Sequence, residues 1–190
     1  MVYTSAFEAA VNHAMNYEVG SWWNVNSPGA QDGTNARACG YTNDPADPGG
    51  ETKYGISKKM NPTVDVDNLN WAGAEAIYYQ NYWLAGHCNQ LPGCVGALHF
   101  DGCVNNGVGT AAKFLQRAVG VIDDGVIGPG TLAAVATHDP IELCNSICDQ
   151  RIAYYNNIVA KNPSQQIYLA GWLRRVEEMR AFTTNPNSTF

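Results

Sequence analysis

The stretch Ser5-Ala6-Phe7-Glu8-Ala9-Ala10-Val11-Asn12-His13-Ala14-Met15-Asn16-Tyr17-Glu18 sets the fold class. Ser5 with Glu8 three residues later reads as a capping box. Phe7, Val11, Ala14 and Met15 then recur at helical spacing, and Gly20 supplies the stop. The same grammar recurs down the chain. Asn70 caps a pattern running from Trp71 to about Leu84, residues 95–106 read as a buried helix, and Thr110 caps a third through Phe114, Leu115 and Val119 to Gly120. Asp123-Asp124-Gly125 is a turn, and Pro129 fits the first turn of a short helix through Leu132 and Val135. Asp139-Pro140-Ile141-Glu142 combines a cap, a proline at the first helical position and an acid at the third. Its stripe is Ile141, Cys144, Cys148, Ile152, Tyr155 and Val159, ending before Asn162-Pro163. Ser164 opens the last helix, with Ile167, Ala170, Leu173 and Val176 on its face, and residues 183–190 read as a tail. Only Lys53-Tyr54-Gly55-Ile56-Ser57 suggests a strand or loop edge, so the class is mainly α.

Residues 21–50 break the pattern, being rich in Asn, Gly, Pro, Asp and Ser, and read as one long loop of the kind that carries function. The whole chain of 190 residues is 45% hydrophobic and 15% charged, which supports a sizeable core and excludes wholesale disorder. Lys and Arg total 11 against 17 Asp and Glu, a net charge of −6 that argues against duplex nucleic acid as a partner. The acidity is uneven, with 4 basic and 9 acidic side chains in residues 1–100 and 7 and 8 in residues 101–190. No apolar run approaches the ~20 residues of a membrane span, so no membrane insertion is expected. The start lacks a basic stretch followed by an apolar one, so no secretory signal is expected.

Glu18 stands out without any further knowledge. It falls within about 20° of both Phe7 and Val11 on the helical wheel, extending the apolar stripe at the last turn. Apolar surroundings and the negative end of a helix both favour a neutral carboxyl over a charged one. A general acid needs that form.

The segment Asn43-Asp44-Pro45-Ala46-Asp47-Pro48-Gly49-Gly50-Glu51-Thr52-Lys53-Tyr54-Gly55-Ile56-Ser57 resembles the signature of glycoside hydrolase family 108, lysozyme-like N-acetylmuramidases common as phage endolysins. In that family a helix ends in Glu-Gly-Gly-Tyr and is followed closely by Asp-Pro-x-Asp-x-Gly-Gly-x-Thr-x-Tyr-Gly-Ile. The second half is similar to the companion peptidoglycan domain through Tyr82-Trp83, Phe100-Asp101, Val104-Asn105-Asn106-Gly107, Ala112 to Ala118, Asp124-Gly125-Val126-Ile127-Gly128-Pro129-Gly130-Thr131 and Gly171-Trp172-Leu173-Arg174-Arg175-Val176. This chain departs from the pattern at Glu18-Val19-Gly20-Ser21, where one glycine and the tyrosine are replaced. It also places 28 residues between Glu18 and Asp47, so roughly Trp22 to Tyr41 is an insertion. The resemblance implies a lysozyme-like two-lobed α fold with a small irregular or β region after the first helix. Residues 1–94 would form the catalytic lobe, with the insertion near 22–41, and residues 95–182 a helical peptidoglycan-binding lobe, the two packed as one compact unit.

Cleaving a β-1,4 glycosidic bond needs a proton donor on the leaving oxygen and a carboxylate or positioned water facing the oxocarbenium-like charge. The resemblance implies Glu18 as the acid, Asp47 as the second carboxylate with Asp44 as the next choice, and Thr52 holding the attacking water. Asp44 and Asp47 both precede proline near a Gly-Gly pair and equally suit turn formation. Sugars are gripped by aromatic faces beside amides, which points, by motif position, to Tyr54, Trp83, Asn105, Asn106 and Gln116. Trp22 and Trp23, directly after Glu18, either stack on a saccharide or anchor the insertion; Tyr78, Tyr82 and Trp172 read as core.

The implied activity is hydrolysis of the bond between N-acetylmuramic acid and N-acetylglucosamine in bacterial peptidoglycan. The alternatives are a lytic transglycosylase and a non-catalytic peptidoglycan-binding protein. A monomer made in a host cytoplasm and acting in the periplasm or cell wall is expected, with no cofactor and no metal. Of the 6 cysteines, Cys144 and Cys148 read as buried free thiols on one helical face. His138 lies near them without the spacing of a zinc site. Cys88 and Cys94 flank a Pro-Gly turn and either pair with each other or leave one to reach Cys39.

Overall fold

A computed structural model describes residues 2–44, 50–188 and 190. Among them the α-helices are α1 (Ser5–Glu18), α2 (Pro28–Gln31), α3 (Ala36–Cys39), α4 (Trp71–Tyr78), α5 (Gly93–Asn106), α6 (Val108–Ala118), α7 (Pro129–Val135), α8 (Pro140–Lys161) and α9 (Gln166–Thr184). Strands β1 (Thr52–Lys53) and β2 (Ile56–Ser57) form a small antiparallel sheet. The mainly α class, with a minor β element after the first helix, is what the structure has. No helix among the described residues is long and apolar enough to cross a membrane.

The chain divides into two compact units, Val11–Gln80 and Met1–Ala10 with Asn81–Phe190. The division falls inside a π-helical turn, Tyr79–Leu84, that continues α4. Apolar periodicity does not reveal that change of helical winding, and the boundary expected at 94/95 lies further on, at the start of α5.

In the Val11–Gln80 unit, α1 stops where the backbone N–H groups of Val19 and Gly20 both turn onto the Met15 carbonyl, with Gly20 at φ +90°. The segment expected to be one loop contains α2 and α3. Pro28 starts the former, and the Asn35 side chain caps the latter by accepting from the N–H groups of Arg37 and Ala38. At four residues each, these helices are too short to show a period. They are held by a cluster in which the rings of Trp23 and Trp71 lie 4.7 Å apart and Tyr54 lies 5.8 Å from Trp71. Asn70 caps α4 as expected, accepting from the Gly73 N–H at 3.0 Å.

In the other unit α5, α6, α8 and α9 enclose a core that includes Leu98, Leu115, Leu143, Ile147, Val176 and Met179. Phe7 joins Trp83 and Phe100 edge-on, at 5.4 and 5.8 Å. Several helix starts shift by a residue or more. Thr4, not Ser5, caps α1, its hydroxyl accepting from the Phe7 N–H at 3.3 Å. Gly107 precedes α6, so Thr110 sits within the helix. Asn162 caps a 3-10 turn, Pro163–Gln165, that contains Ser164. Asp139 caps α8 as expected, through the N–H groups of Ile141 and Glu142 at 2.9 Å each. Ile141 and Ile167 are 40% and 77% exposed and leave their expected stripes. The expected tail begins as helix, with the Thr183 hydroxyl buried and bonded to the Met179 carbonyl at 2.8 Å. Phe190 then folds back on Phe182, 5.3 Å ring to ring.

The polar centre of this unit is Asp101 on α5. Its carboxylate accepts from Arg151 of α8 at 2.7 Å and from Arg175 of α9 at 2.9 Å. Asp101 is 1% exposed and Arg151 0%. Burial alone would raise the Asp101 pKa, but the two guanidinium groups outweigh it and hold the carboxyl below its usual range. A depressed folded value means the ion pairs stabilise the fold above the unfolded pKa of about 3.9 and lose that contribution as pH falls through the folded value. Asp101→Asn strands a buried Arg151 and is expected to cost about 3–5 kcal/mol, measured by urea unfolding at neutral pH. The gap between variant and parent should narrow on acidification.

Candidate active site

The segment Thr52-Lys53-Tyr54-Gly55-Ile56-Ser57 folds as a hairpin in register Thr52 to Ser57 and Lys53 to Ile56. The two residues of its tip, Tyr54 at φ +52° and Gly55 at φ +74°, are both left-handed, as a two-residue hairpin turn with the right twist requires. Glycine enters that region freely; tyrosine does so at a cost. Tyr54 is held there by its own contacts. Its N–H donates to the Cys39 carbonyl at 2.7 Å, its hydroxyl donates to the Ala30 carbonyl, and its ring is fully buried.

Gly55 has a second reason to be glycine. A Cβ on it would stand 2.7 Å from the Tyr78 hydroxyl, 3.1 Å from Glu18 Cβ and 3.1 Å from Glu18 Oε2. Three elements meet at that bare position: the last residue of α1, the last residue of α4 and the hairpin tip. Tyr78 is fixed by donating to the Tyr54 carbonyl at 2.8 Å. Glu18 is half-buried while Gly55 itself is exposed, so the carboxyl has packed surroundings on one side and open surface beside it. Sequence periodicity assigns Tyr78 to the core, which is where its ring lies; the approach of its hydroxyl to Gly55 is not visible from spacing, because it depends on how α4 meets the hairpin.

Thr52 lies on β1 with its hydroxyl donating to the Gly50 carbonyl at 3.3 Å, and its backbone exchanges hydrogen bonds with Thr42 at 2.9 Å. Asp44, two residues beyond Thr42, is exposed. Asp47 lies outside the described residues. Lys53 points the other way, buried and donating to the Asp67 carbonyl at 2.7 Å.

The residues expected to grip sugar divide. Tyr54 and Trp83 are buried, at 0% and 2% exposure, and present no face to a ligand; they are packing residues. Gln116 is buried as well, and its amide organises a turn: it donates to Asp124 Oδ1, the Val126 carbonyl and the Thr131 hydroxyl and accepts from the Gly125 N–H. That turn borders a cavity of about 480 Å³ together with Ile122 and Gly130. Asn105 and Asn106 are half-buried and both donate to the Tyr155 hydroxyl, at 2.6 and 2.9 Å. Trp22 is 62% exposed, with the Arg37 guanidinium 5.3 Å from its ring centre. All six cysteines are free, and Cys88 neighbours Cys103 and His99 instead of Cys94.

A mainly helical chain whose first helix delivers a shielded carboxyl to the tip of a small hairpin has the architecture of a lysozyme-like glycosidase. Residues 32–107 match the family model Glycosyl hydrolase 108, and residues 110–177 match the Predicted Peptidoglycan domain. The chain thus carries a glycosyl hydrolase 108 domain followed by a peptidoglycan-binding region, and is a peptidoglycan-acting glycoside hydrolase. Glu18 precedes the matched segment, which opens at residue 32, between α2 and α3. Among solved structures 12 chains match. One is the structure of Brucella abortus SagA, 28% identical over 95% of this chain and 97% of that one, with a TM-score of 0.71. No curated protein matches.

Gly55→Ala combines a left-handed backbone penalty of about 1–2 kcal/mol with a collision on the Tyr78 hydroxyl. Thermal unfolding should register a loss of at least that size. Gly130→Ala, where an added Cβ meets nothing within 4 Å, should show no loss.

Proposed function

We propose that the protein is an N-acetylmuramidase that hydrolyses the β-1,4 bond between N-acetylmuramic acid and N-acetylglucosamine, with Glu18 as general acid. The observation that carries this reading is the seat of Glu18. It closes an apolar helix, its carboxyl lies against the hairpin tip on which the Tyr78 hydroxyl also converges, and an exposed glycine leaves the adjacent surface without a side chain. A polymeric sugar can approach such a surface closely, while the packed side limits the water that competes for the proton.

In this reading Glu18 protonates the glycosidic oxygen as the C1–O bond breaks, and the departing sugar leaves as an alcohol. Asp47, or Asp44 in its place, faces the positive charge that develops on the ring, and water completes the cleavage with Thr52 orienting it. Trp22, exposed and close after Glu18 in sequence, offers a stacking face; Asn105 and Asn106 offer amides. The family match to a glycosyl hydrolase and a peptidoglycan domain supports the choice of substrate. A phage endolysin, made in a host cytoplasm and acting on the wall, is the biological role that fits.

Glu18→Gln should leave the far-ultraviolet circular dichroism spectrum unchanged and lower the clearing of purified cell walls by about 10²–10⁴-fold, the usual worth of a general acid. Undiminished clearing would remove Glu18 from the mechanism. Asp47→Asn should also cause a large loss, and near-normal turnover would transfer its role to Asp44 or to water. Fragment masses separate the chemistries: reducing ends from hydrolysis, anhydro-sugars from a transglycosylase. Walls that pellet with the protein yet remain intact would identify a binder.

A further inference from the structure

The unit containing Asn81–Phe190 holds a group of donors that the glycosidase chemistry does not use. His99 and Cys103 are four residues apart on α5 and therefore share a helical face. Cys88 opens a 3-10 turn, Cys88–Gln90, shortly before that helix. One ligand atom from each residue can be chosen so that all three lie within 4.8 Å of one another. The three residues are 0–1% exposed. His99 Nε2 is buried with no hydrogen-bond partner among the described residues. Buried polar nitrogens are nearly always satisfied, and an orphan one in a native core calls for a bound water or ion as its partner.

The backbone around the group is shaped to bring it together. A Cβ on Gly86 would lie 2.7 Å from Cys103 Sγ and 3.2 Å from Cys88 Sγ. A Cβ on Gly96 would lie 2.7 Å from the Cys88 carbonyl oxygen. Neither glycine has a positive φ, so both are there for close approach. His87, immediately before Cys88, is left-handed at φ +56°, a conformation that persists in a non-glycine residue only where its surroundings impose it.

We propose that Cys88, His99 and Cys103 bind a thiophilic d10 cation, with charge balance selecting Zn²⁺ over Cu⁺. Two sulfurs and an imidazole are soft and borderline donors, unlike the oxygen cages of calcium or magnesium. At a Zn–S distance of about 2.3 Å, tetrahedral geometry sets the sulfurs about 3.8 Å apart. Separations bounded by 4.8 Å therefore need only side-chain adjustment. Binding releases one proton from each thiol to solvent; the two thiolates then cancel the ion's charge, which suits a buried site. His99 stays neutral and binds through a ring-nitrogen lone pair. Three protein donors leave the fourth position to a small ligand such as water. The site is structural: it pins the turn after the π-helical segment onto α5.

The test uses the full chain, expressed with added zinc and purified without chelators, and reads zinc and copper per chain by mass spectrometry of the elements. One zinc per chain is expected in the parent and in Cys148→Ser, a buried thiol outside the group. Loss of zinc is expected in Cys88→Ser/Cys103→Ser and in His99→Ala. Should those variants fail to fold, cobalt loading of the parent decides alone, since two thiolates produce a sulfur-to-cobalt charge-transfer band. Stoichiometric copper would uphold the site and change the ion. Folded parent protein with no bound metal and no cobalt band, or with a Cys88–Cys103 disulfide in its peptide map, would overturn it.

Discussion

The absence of a side chain at Gly55 is the constraint around which the Val11–Gln80 unit is organised. Helix α1 ends in a carboxyl, α4 ends in a phenol, and both converge on the space that any Cβ would occupy. Close packing makes such a meeting point all-or-none: either the tip is bare and the groups converge, or one of them is displaced. The left-handed backbone that the two-residue turn requires and the tolerance for two polar side chains are met by the same residue. Turn geometry and acid placement are thus one feature of the structure.

Tyr54, next to it, ties the segment between α1 and the hairpin into the unit. Its ring lies against Trp71 and its hydroxyl reaches the Ala30 carbonyl on α2, so the residues between α1 and the hairpin become part of the hairpin's support. Gln116 does similar work in the other unit, where one amide holds a turn with four hydrogen bonds. In both places a residue of a recognisable motif acts on the motif's own backbone. Sugar contact would fall to exposed or half-buried neighbours, as the proposal has it for Trp22, Asn105 and Asn106.

Much of this was legible in the chain itself. Asp139-Pro140 and Asn70 start helices because a cap and a proline act locally, within one turn. Glu18 was conspicuous because a carboxyl on an apolar stripe breaks the pattern that its neighbours establish. What could not be read depends on longer reach. Thr4 and Ser5 are both capping hydroxyls, and only the packing of α1 decides between them. Helices α2 and α3 are shorter than any period. Arg151 interrupts the α8 stripe as a charge would on a surface helix, and its counter-ion lies 50 residues away. The burial of Tyr54, Trp83 and Gln116 is likewise a property of the assembled unit, so an aromatic ring or amide in a motif looks the same whether it faces sugar or core.

The ion cluster around Asp101 bears on modularity. The segment that matches the Predicted Peptidoglycan domain, residues 110–177, contains Arg151 and Arg175 but begins after Asp101. Excised at that border, the matched helices would keep Arg151, fully buried, and lose the Asp101 carboxylate that faces it. The transferable cassette is therefore larger than its homology footprint: any natural recombination or engineered graft must take α5 along.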